Sequence, residues 1–315
     1  MSITRRIDAI TRLDPARACE TPPVPASVKI ELTARCDSRC FFCGTQSKLR
    51  KKADMDWLLY RRLAREVREL GAQELGVFYL GESFLCDWLP EAIEFAKRDC
   101  GYPYVFLTTN GRLATPERVE ACMRAGLDSL KFSFNFSGAR HFHEVTGVKM
   151  SAYPEVIANI KSAREVRARV ERSTGHRCAL YASSIQYDGA QQARMAAAVG
   201  KISAYVDEHY WLPLFNHAGL TAGVRDTEPM PGNPGRIGAL RRPVPCWSLF
   251  NEAYISYDGG LSACCFDHDG RFRMGDLRTQ LFMDGWHSRA FRRLRSAHLK
   301  EDVRGTACER CIAME

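Results

Sequence analysis

The sequence predicts an α/β chain: a partial, TIM-like (β/α)6 barrel followed by a small C-terminal β/α domain. From Val28 to about Leu214, short apolar runs alternate with longer stretches of helical periodicity. Between Gly219 and Pro245, ten of 27 residues are Gly or Pro, which breaks that alternation. Beyond the break, an Asp-Gly turn separates two short β-like runs ahead of a helical pattern. About six units suit an open barrel better than the eight of a closed one. In such a layout the chemistry belongs at the C-terminal ends of the strands.

The elements follow in order. Residues 1–27 read as an N-terminal extension. Val28-Lys-Ile-Glu-Leu32 is the first predicted strand, followed by a helix from Asp56 to Leu70, a strand at Gly76 to Leu80 and a helix at Leu89 to Lys97. Tyr104 to Thr108 is the third strand. Thr115-Pro116-Glu117 opens a helix, with a capping hydroxyl and a first-turn proline. Ser129 to Phe134, a long helix from about Tyr153 to Arg172, Ala179 to Ser184, a helix near Gln191 to Val206, and Tyr210 to Leu214 complete a barrel domain over 28–218. After a linker at 219–245, the domain at 246–315 holds the hairpin Ala253 to Cys264 and a helix from about Gly285 to His298.

A net charge of +8 permits nucleic-acid binding, but the basic residues are spread along helical patterns and read as solvated faces. The densest run, Arg289 to Arg295, reads as one amphipathic helix with Phe291 and Leu294 turned inward. The expectation is no nucleic-acid and no membrane partner, since no apolar run approaches the roughly 18 residues of a spanning helix. Without a signal-like N-terminal segment, the expected location is cytoplasmic. Thirteen cysteines in a reducing compartment point to metal ligation rather than to disulfides.

Cys36-Asp-Ser-Arg-Cys40-Phe-Phe-Cys43 directly follows the first predicted strand, presenting three thiols on one loop. Three thiolates without a nearby fourth Cys or His make a poor closed zinc site and a good incomplete iron-sulfur site, whose open iron binds another molecule. This Cys-x3-Cys-x2-Cys pattern, with Phe42 before the last cysteine, resembles the signature of the radical S-adenosylmethionine (SAM) superfamily. The resemblance implies a 4Fe-4S cluster on Cys36, Cys40 and Cys43 whose open iron chelates SAM, reductive cleavage to a 5′-deoxyadenosyl radical, and a reducing donor such as flavodoxin or ferredoxin. It also implies SAM contacts from Gly81 and Glu82 after the second strand, Asn110 after the third, and Ser133 and Asn135 at the fourth. Leu80 and Ser83 depart from the family's Gly-Gly-Glu-Pro stretch at that place.

A second set lies near the C-terminus. Cys246 and Cys264 have 17 residues between them, Cys264 and Cys308 have 43, and Cys308 and Cys311 have two. Four cysteines serve zinc or a fully ligated cluster equally well. With Gly259 five residues before Cys264, the arrangement resembles the auxiliary-cluster domain of the SPASM/twitch branch, in its one-cluster twitch form. That resemblance implies a second 4Fe-4S cluster and points toward the 2-deoxy-scyllo-inosamine dehydrogenase and neomycin epimerase types of aminoglycoside biosynthesis.

Cys265, beside a ligand, is either an unused small hydrophobe or a thiol facing the active site. On a strand it points away from Cys264, so the two do not both ligate one cluster. The epimerase resemblance implies a cysteine hydrogen donor here. Asn216, His217, Asp267 and Asp269 are the substrate-contact candidates, although a lone His is more often structural and Asp-His-Asp-Gly reads equally as a turn.

The expected function is hydrogen abstraction from a carbon of an aminoglycoside or related sugar, followed by epimerisation with Cys265 as donor. Dehydrogenation of a secondary alcohol is the close alternative, peptide maturation the third, and a non-enzymatic zinc-binding module the reading from another class.

Overall fold

The computed structural model describes residues 2–44, 50–221 and 229–312. After helix α1 (Ile3–Ile10) come β1 (Ser27–Ile30), α2 (Trp57–Glu69), β2 (Glu74–Gly76), α3 (Leu89–Glu94) and β3 (Tyr104–Thr109). The chain continues through α4 (Pro116–Arg124), β4 (Ser129–Ser133), α5 (Ala139–Thr146), α6 (Tyr153–Thr174), β5 (Ala179–Ile185), α7 (Gly189–Gly200) and β6 (Glu208–Leu212). Then follow α8 (Ser248–Asn251), β7 (Glu252–Ile255), β8 (Gly260–Ser262), β9 (Arg273–Asp276), α9 (Phe282–Trp286), α10 (Arg289–Leu299) and α11 (Glu309–Ile312).

All described strands share one sheet in the order β6-β5-β4-β3-β2-β1-β7-β8-β9. The strands β1 to β6 pair in parallel, which fits runs such as Ala179–Ile185 that are apolar or small on both faces. The result is the expected partial barrel. The C-terminal hairpin lies within that sheet, because β7 pairs in parallel with β1, and β8 and β9 follow antiparallel.

Helix α2 shows why these segments cross over as helices. Tyr60, Leu63, Ala64 and Val67 form one buried stripe, and the Asp56 carboxylate accepts the Leu59 amide at 2.9 Å as N-cap. Val156, Ile160, Ala163, Val166 and Val170 do the same along α6, which ends at Gly175 with φ +73°. Among the described residues, no helix is long and apolar enough to cross a membrane.

Several local expectations need correction. The second strand ends at Gly76 rather than beginning there, so Val77 to Leu80 already belong to the loop at the barrel mouth. Thr115 makes no side-chain cap. The helix expected over Gly285 to His298 is split into α9 and α10, because Ser288 caps a new start by accepting the Phe291 amide at 3.3 Å. Residues 1–27 contain an unforeseen helix, α1. Its first turn is clasped by Glu208 at the head of β6, which accepts from Ser2 Oγ and the Ile3 amide, each at 2.8 Å. Arg6 then reaches Glu74 at the head of β2 and lies 4.1 Å over the Phe106 ring. Helix α1 thus crosses the N-terminal ends of the strands and plugs the barrel from below.

Candidate active site

Cys36, Cys40 and Cys43 lie on the loop beyond β1, at the C-terminal mouth of the barrel, and the Cys43 amide donates to Cys40 O at 2.9 Å. Helix α5, which the sequence reading missed, holds this loop: Arg39 N donates to Thr146 O at 2.7 Å and Phe41 N to Val145 O at 3.0 Å. Gly81 packs directly beneath it, where an added Cβ would fall 2.1 Å from Thr33 O. The neighbouring Glu82 amide donates to Arg35 O at 2.8 Å.

The buried Glu82 carboxylate accepts from Thr109 Oγ1 at 2.9 Å and Asn110 N at 2.7 Å, and burial pushes its pKa up to about 7. Asn110 in turn donates to Asp37 Oδ1 at 2.6 Å, inside the cysteine loop, and Arg112 pairs with the same carboxylate at 2.5 Å. The side chains of Glu82 and Asn110 therefore lock three strand-end loops together. Asn135 Oδ1 accepts the Ile185 amide at 3.0 Å, Ser133 is half-buried at the end of β4, and the Phe42 ring stands edge-on to Phe41 at 5.2 Å.

The second cysteine set comes together in the fold. Cys246, Cys264, Cys308 and Cys311 line one enclosed apolar cavity, and Cys265 lines it too. The reason Cys264 and Cys265 can share it corrects the strand argument: β8 stops at Ser262, and both cysteines sit on the turn after it. Backbone amides point at the sulfurs, Phe266 N to Cys264 Sγ at 3.3 Å and Gly232 N to Cys311 Sγ at 3.2 Å.

Between α1 and the cysteines lies a barrel lumen of about 240 Å³. Its lining includes Arg6, Lys29, Tyr79, Lys131, Tyr181, Tyr210, Asn233, Trp247, Glu252 and Cys265. Lys29 pairs with Glu252 at 2.7 Å, and Asn233 donates to Cys265 Sγ at 3.3 Å. Cys265 is thus shared by the lumen and the cysteine cavity. The Lys29–Glu252 pair went unnoticed in the sequence; its signal was a lysine between the apolar Val28 and Ile30 of the first strand.

The expected substrate contacts are disposed differently. Asn216 is fully buried and donates to Cys311 O at 2.7 Å while accepting from Cys311 Sγ at 3.3 Å, so it braces the cysteine cavity. Asp267 is buried and accepts from Ser262 Oγ at 2.8 Å, and Asp269 pairs with Arg271 at 3.2 Å; both serve the turn. His217 lies between the two cysteine sites, its ring 4.6 Å from Phe266 and its Nδ1 3.2 Å from His268 Nε2. Consecutive positive φ values at His217 (+46°) and Ala218 (+59°) each cost about 1 kcal/mol, which the packing around them must offset. His268, which the sequence offered as a sugar contact or as part of a turn, instead lies beside the first cysteine loop, its Nε2 4.0 Å from Cys43 Sγ.

Comparison with known proteins matches the radical SAM superfamily over residues 30–178 and the SPASM iron-sulfur cluster-binding domain over 246–312. This chain carries a radical SAM domain followed by a SPASM domain. It is similar to the PqqA peptide cyclase of Gluconobacter oxydans (strain 621H), 32% identical over 148 residues that make up 47% of this chain and 39% of that protein. The match therefore spans about two-fifths of the length of that curated relative. In fold it resembles BtrN in complex with AdoMet and 2-DOIA, at a TM-score of 0.56 and 17% identity over 87% of each chain. It likewise resembles Streptococcus suis SuiB bound to precursor peptide SuiA, at 0.65 and 14% over 87% of this chain and 67% of that one.

The radical SAM domain implies SAM and a 4Fe-4S cluster, and the SPASM domain implies further iron-sulfur chemistry. The residues present fit these groups. No disulfide joins any of the thirteen cysteines among the described residues. Burial pushes the Cys36 and Cys246 thiols up to about 12, so ligation would displace protons from thiols otherwise held neutral. In the second cavity, His298 Nδ1 accepts the Cys246 amide at 3.1 Å, while its buried Nε2 has no partner among the described residues. That donor, the aimed amides and four converging thiols are what a cluster's sulfurs require.

Proposed function

We propose that this radical SAM enzyme abstracts hydrogen from a carbon of a small hydroxyl-rich substrate, an aminoglycoside or related sugar, and epimerises that carbon with Cys265 as hydrogen donor. The reading rests on one observation above all: the Cys265 thiol lines the lumen and the second cysteine cavity together. Cys36, Cys40 and Cys43 would hold the SAM-binding cluster, and Cys246, Cys264, Cys308 and Cys311 the second one. When bound, these groups supply the 5′-deoxyadenosyl radical and the electron that returns the donor sulfur to a thiol.

The chain's own residues do the remainder. The lumen, closed below by α1, excludes water and limits substrate size. Tyr79, Tyr181, Tyr210 and Asn233 offer hydroxyl and amide partners for a hydroxyl-rich substrate. Cys265 delivers a hydrogen atom from its S–H to the carbon radical, re-forming C–H on the opposite face. A cytoplasmic setting and a flavodoxin- or ferredoxin-type donor belong to this proposal.

Dehydrogenation is the second reading. It is favoured by a second site built from four thiols beside the lumen, the arrangement suited to accepting a substrate electron. Peptide maturation draws support from the peptide-acting relatives, but a plugged lumen of about 240 Å³ suits a small molecule better.

Anaerobically reconstituted protein tests the choice. Cys36→Ala should abolish reductive SAM cleavage. Cys265→Ala should still form 5′-deoxyadenosine but lose the epimer, whose inverted carbon in wild type takes up deuterium from solvent. Unchanged epimer from Cys265→Ala would remove the donor role, and an oxidised product free of solvent deuterium would establish dehydrogenation.

A further inference from the structure

Cys43 Sγ, a His217 ring nitrogen and a His268 ring nitrogen lie within 4.8 Å of one another, a grouping that the SAM-loop motif does not foresee. His268 Nε2 is 4.0 Å from Cys43 Sγ and 3.2 Å from His217 Nδ1. The Gly44 amide donates to that same His217 Nδ1 at 3.4 Å, so Nδ1 is an acceptor. Facing an acceptor, His268 Nε2 must carry the proton. Its N–H therefore points into the space shared by His217 and the Cys43 sulfur. The ring is also seated against the cysteine loop: a Cβ on Gly44 would meet His268 Cδ2 at 2.4 Å, so no other residue type allows this approach. His217, packed against the Phe266 ring at 4.6 Å and held in left-handed backbone, fixes the partner nitrogen.

We infer that His268 is a positioning residue that donates an N–H···S hydrogen bond to Cys43, with its tautomer set by His217, and thereby raises the reduction potential of the SAM-binding cluster. A thiolate sulfur is a stronger acceptor than the neutral imidazole, so once Cys43 is a ligand it takes the larger share of the N–H that lies between it and His217 Nδ1. Hydrogen bonds to cluster sulfurs stabilise the reduced, more negative state. His268 lies four residues beyond Cys264, and the Phe266 amide between them donates to Cys264 Sγ. The loop that helps to form the second cysteine site therefore also supplies the donor to the first. This inference holds whichever reaction the lumen hosts.

The test uses the reconstituted full chain, in which the SAM-binding cluster is the one whose EPR signal changes on adding SAM. His268→Phe keeps the ring and removes the N–H. Its SAM-sensitive signal should titrate at a more negative potential than wild type, while His268→Gln, which retains an N–H donor, should restore part of the difference. In wild type labelled with 15N-histidine, pulsed EPR should detect a weak histidine nitrogen coupling to that cluster, lost in His268→Phe. An unchanged potential in His268→Phe would overturn the proposal. Should that variant fail to hold its cluster, the labelled wild type decides, and absence of the coupling refutes the bond.

Discussion

His209, on β6, shares a hydrogen bond of 2.9 Å with Ser184 Oγ and sets its ring edge-on to Trp211 at 4.9 Å. Burial holds the imidazole down at about 4, against an ordinary value near 6.5. Between those values the unfolded chain takes up a proton that the fold refuses, so the stability is complete above about pH 6.5 and declines toward pH 4. The melting temperature should drop between pH 7 and pH 5, and the drop should be smaller in His209→Gln; equal drops would show that another group carries the effect. At this scale the cysteine ligand candidates were the most legible residues, because covalent chemistry restricts which side chains can hold a soft metal and at what spacing. Asn216, Asp267 and Asp269 were not. An amide or carboxylate beside a site reads the same whether it faces substrate or satisfies a neighbour, and here Asn216 bonds Cys311 while Asp267 bonds Ser262.

Helix α10 carries the densest basic run, and as expected Phe291 and Leu294 face inward. Arg295 joins them. It is fully buried, donating to Leu249 O at 2.9 Å, Glu20 O at 3.0 Å and Trp286 O at 2.7 Å, with its guanidinium 4.1 Å over the Trp286 ring and 4.2 Å over Phe291. The cost of this burial shows in its pKa, which desolvation lowers to about 9. Arg295→Met would strand three carbonyls and lose the ring contacts, and should destabilise the fold by about 2–4 kcal/mol, read as a lower urea midpoint at unchanged slope. An unchanged midpoint would mean that the carbonyls find other donors. Periodicity identified the helix and its apolar face but not the buried arginine, since its acceptors come from α8, from α9 and from the segment after α1. The boundaries of β2 and β8 failed for a related reason: apolar residues continue into the barrel mouth, where ladder pairing rather than composition ends a strand.

Across the whole molecule, α1 closes the N-terminal side of the barrel while the loop of Cys36, Cys40 and Cys43 occupies the opposite, C-terminal side. Deleting residues 2–12 would remove the plug and its contacts to Glu208, Glu74 and Phe106 without touching the cysteine loop. Such a variant should melt at a lower temperature and still cleave SAM reductively, but lose most of its coupling of cleavage to substrate conversion; retained coupling would show that the lumen needs no floor. By itself the sequence determined the α/β alternation, the two cysteine sets and the radical SAM and SPASM domains, because hydrophobic period and ligand spacing are local properties of a chain. Only the tertiary structure decided that the C-terminal hairpin pairs with β1 in the barrel sheet, that α1 plugs it, that Cys265 is shared by two cavities, and that His268 meets Cys43. Each of these joins residues far apart in the chain, brought together by burial and by the demand that backbone groups find partners, and no local pattern records which partner is found.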